Sequence, residues 1–148
     1  MSSGQSHVRC LLCEEDGGRV LYRNDLLRVI EVVDSQFADY PGHLRVILNR
    51  HVSEMTDLPR NEAQALFHAV LAAERVLHEV LSPDKVNLAS LGNQVPHLHW
   101  HVVPRFTDDA HFPDSVWASR KRDIPGSTLM ERRRRAQLIG ESLRLALT

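Results

Sequence analysis

The sequence predicts an α+β domain built on a mainly antiparallel, five-stranded sheet with a long central helix and a C-terminal helix. Five short runs rich in β-branched and other apolar residues occur before residue 107. One amphipathic segment separates the third run from the fourth, and a second helical segment ends the chain. Because the strands follow in hairpin order and the helices are segregated, an antiparallel sheet is expected rather than alternating βαβ units.

The first three strands are predicted in the N-terminal part of the chain. Runs near residues 19–23 and 26–33 are separated by the turn-like pair Asn24-Asp25, which indicates a hairpin. A third run, HLRVILN at residues 43–49, lies between a Pro-Gly pair and polar residues. These features predict three consecutive strands.

The long helix is predicted from Pro59 to about Leu81, where apolar residues recur at spacings of three and four. Two further strand candidates follow, KVNLASLGN at residues 85–93 and PHLHWHVVPRF at residues 96–106. A proline-punctuated region then leads to a last helical stretch, predicted over about 127–147. The absence of repeats, linkers and composition breaks favours a single domain over residues 1–148.

Composition limits the classes of partner. The 148 residues are 43% hydrophobic and 25% charged, which is sufficient for one domain with a buried core. A formal net charge of −1 gives no general attraction to nucleic acid or to an anionic membrane, so neither is expected as a partner. The sequence has no apolar stretch of membrane-spanning length and no secretory signal, which favours the cytoplasm.

Three histidines occupy alternate positions in the segment HLHWH, residues 97–101. On a strand, His97, His99 and His101 share one face, and the apolar residues between them, including Trp100, share the other. Half-buried imidazoles on one face need hydrogen bonds, a metal or a ligand to offset desolvation. The residues alone leave three interpretations open: metal ligands, a general acid–base relay, or a nucleophilic imidazole oriented by its neighbours.

Two short segments suggest ligands for this cluster. The LGN sequence before the histidines offers a glycine and backbone amides that suit a phosphate group. Cys10 and Cys13 form a Cys-x-x-Cys pair, which in a reducing compartment predicts metal or redox chemistry before a structural disulfide. Such a pair can give two thiolates to tetrahedral zinc, with two histidines as the other ligands. The alternative is that both cysteines pack as small apolar side chains.

The segment NLASLGNQVPHLHWHVVPRF resembles the signature of the histidine triad (HIT) family, His-x-His-x-His-x-x with x apolar, which residues 97–103 satisfy. The order of elements resembles the family over a core of about 10–106. In the extension, about 107–148, the sequence TDDAHFPDSVWA is similar to a bacterial hydrolase-like branch. The resemblance implies a HIT-like fold, usually homodimeric, that hydrolyses or transfers nucleotidyl groups. Its substrates would be nucleoside phosphoramidates or dinucleoside polyphosphates, cleaved at the α-phosphate, and no cofactor is required.

The resemblance also implies roles for individual residues. His99 would attack the α-phosphorus and form a covalent nucleotidyl-histidine, which water then hydrolyses. His97 and His101 would orient His99 and stabilise charge on the phosphate or leaving group, and His51 would hydrogen-bond into the triad. The expected substrate-binding residues are Asn87, Gly92, Asn93, Gln94 as the alternative to Asn93, and Asp34 at the ribose hydroxyls.

A structural zinc site is a second implication of the resemblance. In zinc-containing relatives the ligands correspond to Cys10, Cys13, His51 and His97, and His7 is an alternative to either histidine. His97 would then be a structural ligand and not a proton relay.

Alternatives to the hydrolase are a nucleotide- or zinc-binding protein that keeps the HIT scaffold with little turnover, and a transferase that uses phosphate or a sugar phosphate as acceptor. Trp100 is predicted to lie in the core, because it alternates away from the histidines. For Trp117, in the extension, one interpretation is a reach into the active site, within the chain or across a dimer.

Overall fold

The computed structural model describes residues 9–148 and confirms the α+β class. Five strands form one antiparallel sheet in the order β1-β2-β3-β5-β4. The strands are β1 Arg19–Arg23, β2 Leu27–Glu31, β3 Leu44–Leu48, β4 Lys85–Ala89 and β5 His99–Arg105. The helices are α1 Leu11–Glu14, α2 Arg60–Leu81, α3 Gly126–Ala136 and α4 Ile139–Leu147.

The turn between β1 and β2 forms at the predicted asparagine. Its side-chain oxygen, Oδ1 of Asn24, accepts hydrogen bonds from the backbone N–H groups of Leu26 and Leu27, both at 2.9 Å. An asparagine that binds the backbone two and three residues later stabilises a tight turn locally. Asn49 adds a hydrogen bond from its Nδ2 to the carbonyl of Asn24 at 2.7 Å, so both local and long-range contacts hold this turn.

One face of the sheet forms the main core. Leu44, Val46 and Leu48 alternate along β3 towards this face, and Leu98 and Val102 join them. Helix α2 packs over these side chains, and α4 packs beside α2 and against β1. Helix α2 ends where predicted, with Ser82 in the left-handed conformation (φ 48°) before a proline that cannot continue the helix.

The opposite face carries the polar residues. His43, Arg45 and Ile47 alternate on or next to β3, and in the strand pairing Arg45 lies opposite His101 and Ile47 opposite His99. A smaller apolar cluster covers part of this face. It combines strand residues with residues from α1, the segment after β2 and the C-terminal extension: Leu12, Ile30, Val32, Phe37, Tyr40, Ile47, Val103 and Val116. One face of the sheet thus forms the main core, and the other carries the histidines and Arg45.

The end of the chain differs from the expected single helix. The chain turns at Gln137 and Leu138 between α3 and α4. This turn lets Ile139 and Leu143 enter the main core, where both are fully buried, while Leu138 stays exposed. Within residues 9–148, no helix has both the length and the apolar character needed to cross a membrane.

Candidate functional site

His99, the first residue of β5, has one ring nitrogen fixed by the backbone. Its Nδ1 lies 2.6 Å from the carbonyl oxygen of His97. Because a carbonyl oxygen can only accept, Nδ1 carries the proton and Nε2 keeps a lone pair. Burial, followed by the positive charge of Arg45, lowers the pKa of His99, although the bond to His97 opposes the shift. A neutral imidazole with a free Nε2 can act as a nucleophile.

His101 is held by a second buried histidine, His43. Nε2 of His43 lies 3.0 Å from Nδ1 of His101. Nδ1 of His43 is buried and has no hydrogen-bond partner among the described residues. Because orphaned buried N–H groups are rare, we assign the shared proton to Nε2 of His43. The proton of His101 is then on its Nε2, which can donate to a ligand.

Electrostatics keep both members of this pair neutral. Burial and the charge of Arg45 lower the pKa of His101 to about 3. Burial, then the neighbouring His101, lowers the pKa of His43 well below its usual value. Both side chains are almost inaccessible to solvent. The pair can therefore donate and accept hydrogen bonds at neutral pH without carrying charge.

Four metal-ligand side chains meet at α1. Nδ1 of His97 lies 3.3 Å from Sγ of Cys10 and 3.4 Å from Sγ of Cys13. Nδ1 of His51 lies 3.4 Å from Sγ of Cys13. The four ligand atoms all lie within 4.8 Å of one another, and Cys₂His₂ is a donor set that zinc prefers.

The orientation of His97 supports the same interpretation of the cluster. Its Nε2 lies 2.6 Å from the carbonyl oxygen of Leu48 and must donate to it, so the lone pair on Nδ1 faces the cysteines. His97 precedes β5, and only His99 and His101 share the regular strand, with their ring centroids 5.2 Å apart. The expectation of three histidines on one regular strand is corrected accordingly.

His51 does not make the hydrogen bond into the triad that the sequence suggested. Its ring contacts Cys13 and His97, and the bond to His101 comes from His43. The reason is the antiparallel pairing of β3 with β5, which brings the end of β3 to His97 and its start to His101. The alternation in HLRVILN could have identified His43, since it predicts that His43, Arg45 and Ile47 share a face.

Two cavities meet at His99. The larger has a volume of about 670 Å³, and the smaller about 240 Å³. Three residues line both cavities: His99, and Leu91 and Gly92 of the loop before the triad. The smaller cavity is otherwise lined by His97, Leu98, Ser53, Glu54, Met55, Thr56 and Ser90. A molecule that reacts at His99 can therefore extend in two directions.

Most of the predicted substrate-binding residues line the larger cavity. Gly92 has a backbone φ of 82°, which favours glycine, and Asn93 and Gln94 follow it along the wall. Asp34 lies on the wall formed by the loop after β2, where its carboxylate is 3.3 Å from the guanidinium of Arg45. Arg45, which the sequence had not singled out, is the one lysine or arginine among the described residues that line this cavity.

Asn87 does not join them. Its Oδ1 accepts a hydrogen bond of 2.8 Å from Nη1 of Arg105, and Asn87 is not among the described residues that line either cavity. In the strand pairing Asn87 lies opposite Val103, two residues beyond His101. The side chain of Asn87 therefore binds buried Arg105 and does not face either cavity.

Arg105 attaches the C-terminal extension to the histidine face. Its Nε donates to Oδ2 of Asp109 at 2.8 Å, and its Nη2 donates to the carbonyl of Asp114 at 2.6 Å. Burial raises the pKa of Asp109, but hydrogen bonds from Arg105 and from two backbone N–H groups outweigh it and lower the pKa to about 2. The buried ion pair therefore stays charged at neutral pH.

The two tryptophans lie on opposite faces of the sheet. Trp117, in the extension, has its ring centroid 4.9 Å from that of His101 and lines the larger cavity within the same chain. Trp100 is partly buried against the main core and contacts Phe67 of α2, with ring centroids 5.6 Å apart. Trp100 therefore lies on the core face, as predicted, but at the edge of the core and not within it.

Comparisons with known proteins agree with this site. A family profile described as HIT domain matches residues 14–108. The AP-4-A phosphorylase of Mycobacterium tuberculosis is 37% identical over 86 residues, which are 54% of this chain and 44% of the relative. The asymmetrical bis(5'-nucleosyl)-tetraphosphatase of Schizosaccharomyces pombe is 32% identical over 88 residues, 56% of this chain and 48% of the relative. The chain thus matches a little under half of the length of these relatives.

Solved structures cover more of the chain. A histidine triad protein from Bradyrhizobium japonicum is 28% identical with a TM-score of 0.68, over 90% of this chain and 92% of that one. A Zn-bound histidine triad family protein from Mycobacterium smegmatis is 22% identical with a TM-score of 0.62, over 92% of this chain and 94% of that one. At that identity the second likeness shows the fold alone.

Proposed function

The chain belongs to the HIT family, and on that premise we propose that it is a nucleotidyl hydrolase that forms a covalent intermediate on His99. Its substrates are nucleoside phosphoramidates or dinucleoside polyphosphates, cleaved at the α-phosphate. The observation that carries the proposal is the free Nε2 of His99 at the meeting point of two cavities. The activities named for the M. tuberculosis and S. pombe relatives support the substrate class.

In the first step, Nε2 of His99 attacks the α-phosphorus, a P–N bond forms, and the bond from phosphorus to the leaving group breaks. Positive charge develops on the ring, and the hydrogen bond from Nδ1 to the carbonyl of His97 stabilises it. The Nε2–H of His101 donates to a phosphate oxygen or to the leaving group. In the second step, water attacks phosphorus, the P–N bond to His99 breaks and its electron pair returns to Nε2. The attacking water gives up a proton, which balances the proton that the leaving group took up in the first step, and the nucleoside monophosphate leaves.

Each of the two cavities binds a different part of the substrate. The larger one takes the nucleoside, with Asp34 at the ribose hydroxyls and Arg45 as the positive charge near the anionic nucleotide. The backbone of Gly92 and the residues Asn93 and Gln94 approach the phosphate from the loop before the triad. The smaller cavity takes the leaving group, beside His97 and His99.

We also propose that Cys10, Cys13, His51 and His97 hold a structural zinc ion. The proximity of their ligand atoms and the lone pair of His97 support this, and the M. smegmatis family member is Zn-bound. Zinc would make the segment around His97 rigid, and the carbonyl of His97 orients His99. The two chemical steps need no cofactor. The alternative ligand, His7, lies outside the described residues. The homodimer implied by the resemblance is a further proposal, which light scattering tests.

The test is intact-protein mass spectrometry during brief incubation with adenosine 5'-phosphoramidate. We expect an adenylyl adduct and release of AMP from the wild type, and neither from His99→Asn. His68→Asn, an exposed histidine of α2, is the matched control and should form the adduct normally. Binding of AMP without adduct or turnover would instead support the nucleotide-binding alternative. Addition of phosphate or a sugar phosphate as acceptor distinguishes transfer from hydrolysis.

A further inference from the structure

Trp117 reaches the larger cavity from outside the part of the chain that the HIT profile matches, residues 14–108. Its ring meets His101 at a centroid distance of 4.9 Å and Phe37 at 6.5 Å. Both contacts are edge-to-face, with interplanar angles of 79° and 82°. The side chain is nevertheless 43% exposed, so much of the indole surface is uncovered.

The aromatic rings around the cavity are not equivalent. Apart from the triad histidines, the aromatic residues among its described lining are Phe37 and Trp117. Phe37 is only 5% exposed because it packs in the smaller apolar cluster and against His43. Trp117 is therefore the aromatic wall that a ligand can reach.

The segment that carries Trp117 is held firmly in place. Arg105 donates to the carbonyl of Asp114, and Arg122 donates to the carbonyl of Phe112 at 2.9 Å. Val116, next to the tryptophan, is buried in the smaller apolar cluster. Because the backbone is already fixed, binding against the indole requires little further ordering of the chain.

We propose that Trp117 is a substrate-binding residue, supplied by the C-terminal extension of the same chain, and that its indole stacks on the base of the bound nucleotide. The inference rests on the proposed function. Asp34, the expected ribose contact, lies on the same wall of the cavity as Phe37, which contacts Trp117. A nucleobase offers a flat face to an exposed indole, and such stacking tolerates different bases.

The position of the two tryptophans allows a direct test by fluorescence. Trp100→Phe leaves Trp117 as the fluorophore at the cavity, and Trp117→Phe leaves Trp100 on the opposite face of the sheet as the matched control. We expect AMP to change the emission of Trp100→Phe in a saturable manner and to leave that of Trp117→Phe nearly unchanged. Ribose 5-phosphate, which lacks the base, should bind without this change.

Affinity gives an independent measurement. By calorimetry, Trp117→Leu should raise the Kd for AMP by about fivefold or more, the effect of losing one base–aromatic stack. Trp117→Phe should retain much of the affinity, because a phenyl ring also stacks. The Kd for ribose 5-phosphate should be nearly equal in all three proteins.

The outcomes separate this inference from the proposed function. If AMP binds and the adenylyl adduct forms, but emission from Trp117 and the Kd of Trp117→Leu do not change, base stacking is overturned and the hydrolase stands. An equal emission change with ribose 5-phosphate also overturns it. If AMP does not bind and no adduct forms, both proposals fail together.

Discussion

His97 and His101 are each two residues from His99, yet their surroundings differ. His97 lies beside Cys10 and Cys13, and His101 lies between His43 and Trp117. The antiparallel pairing of β3 with β5 contributes to this difference, because the end of β3 reaches His97 and the residue before its start, His43, reaches His101. A motif that is symmetric in sequence therefore forms an asymmetric site, with the Cys10, Cys13, His51 and His97 cluster on one side and the larger cavity on the other.

Hydrogen bonding leaves each histidine with a different free group: a lone pair on Nδ1, a lone pair on Nε2 or an N–H at Nε2. His97 donates from Nε2 to a carbonyl and presents Nδ1, whereas His99 donates from Nδ1 and presents Nε2. His101 accepts at Nδ1 from His43 and presents an Nε2–H. On the proposed function, the three rings would serve as a metal ligand, a nucleophile and a hydrogen-bond donor, because each presents a different group.

The largest effects are expected from replacing the two outer histidines separately. His97→Asn should lose bound zinc and, because the carbonyl beneath His99 is no longer held, most turnover. His101→Asn should retain zinc but lose about 100-fold in kcat, the scale for removing one charge-stabilising donor. Metal analysis and steady-state kinetics on the same samples measure both quantities.

Cys13→Ser is the control for the first of these variants. It should lose zinc as His97→Asn does while leaving every ring of the triad in place. Retention of zinc by His97→Asn, or its loss from His101→Asn, would contradict the division of roles between the two ends of the motif.

The faces of the sheet could be predicted from local sequence, but the partners across it could not. Successive side chains on a strand point to opposite faces of the sheet. This alternation alone predicts that Trp100 faces the core and that His99 and His101 share the other face. Which upstream histidine bonds to His101 depends on the long-range register of β3: the resemblance implies only that His51 bonds into the triad, whereas the structure places His43 against His101. The position of Trp117 could not be predicted from the sequence, because it depends on buried hydrogen bonds from Arg105 to Asp109 and to the carbonyl of Asp114.

His43 provides a smaller and more specific test of the His101 end. His43→Phe removes the hydrogen bond to His101 but keeps a buried ring, and should lower kcat by about tenfold, the scale for a lost buried hydrogen bond. KM and zinc content should change little, because neither the cavity wall nor the cysteine cluster includes His43. His43→Gln, which retains an N–H donor, should restore part of kcat. An unchanged kcat in His43→Phe would show that the bond does not position His101.

The smallest effect is expected in the pH dependence of stability. His101 has a pKa of about 3 in the folded protein, compared with about 6.5 for an unperturbed histidine. Between these values the unfolded chain binds a proton that the folded chain does not, so acidification destabilises the fold. From pH 7.5 to 5.5 this costs about 1.4 kcal/mol. In urea unfolding at pH 7.5 and 5.5, the loss of stability should be smaller in His101→Gln than in the wild type, and normal in His68→Asn. The same loss in all three proteins would mean that buried His101 does not contribute, and that the acid sensitivity arises at other groups, such as buried His43.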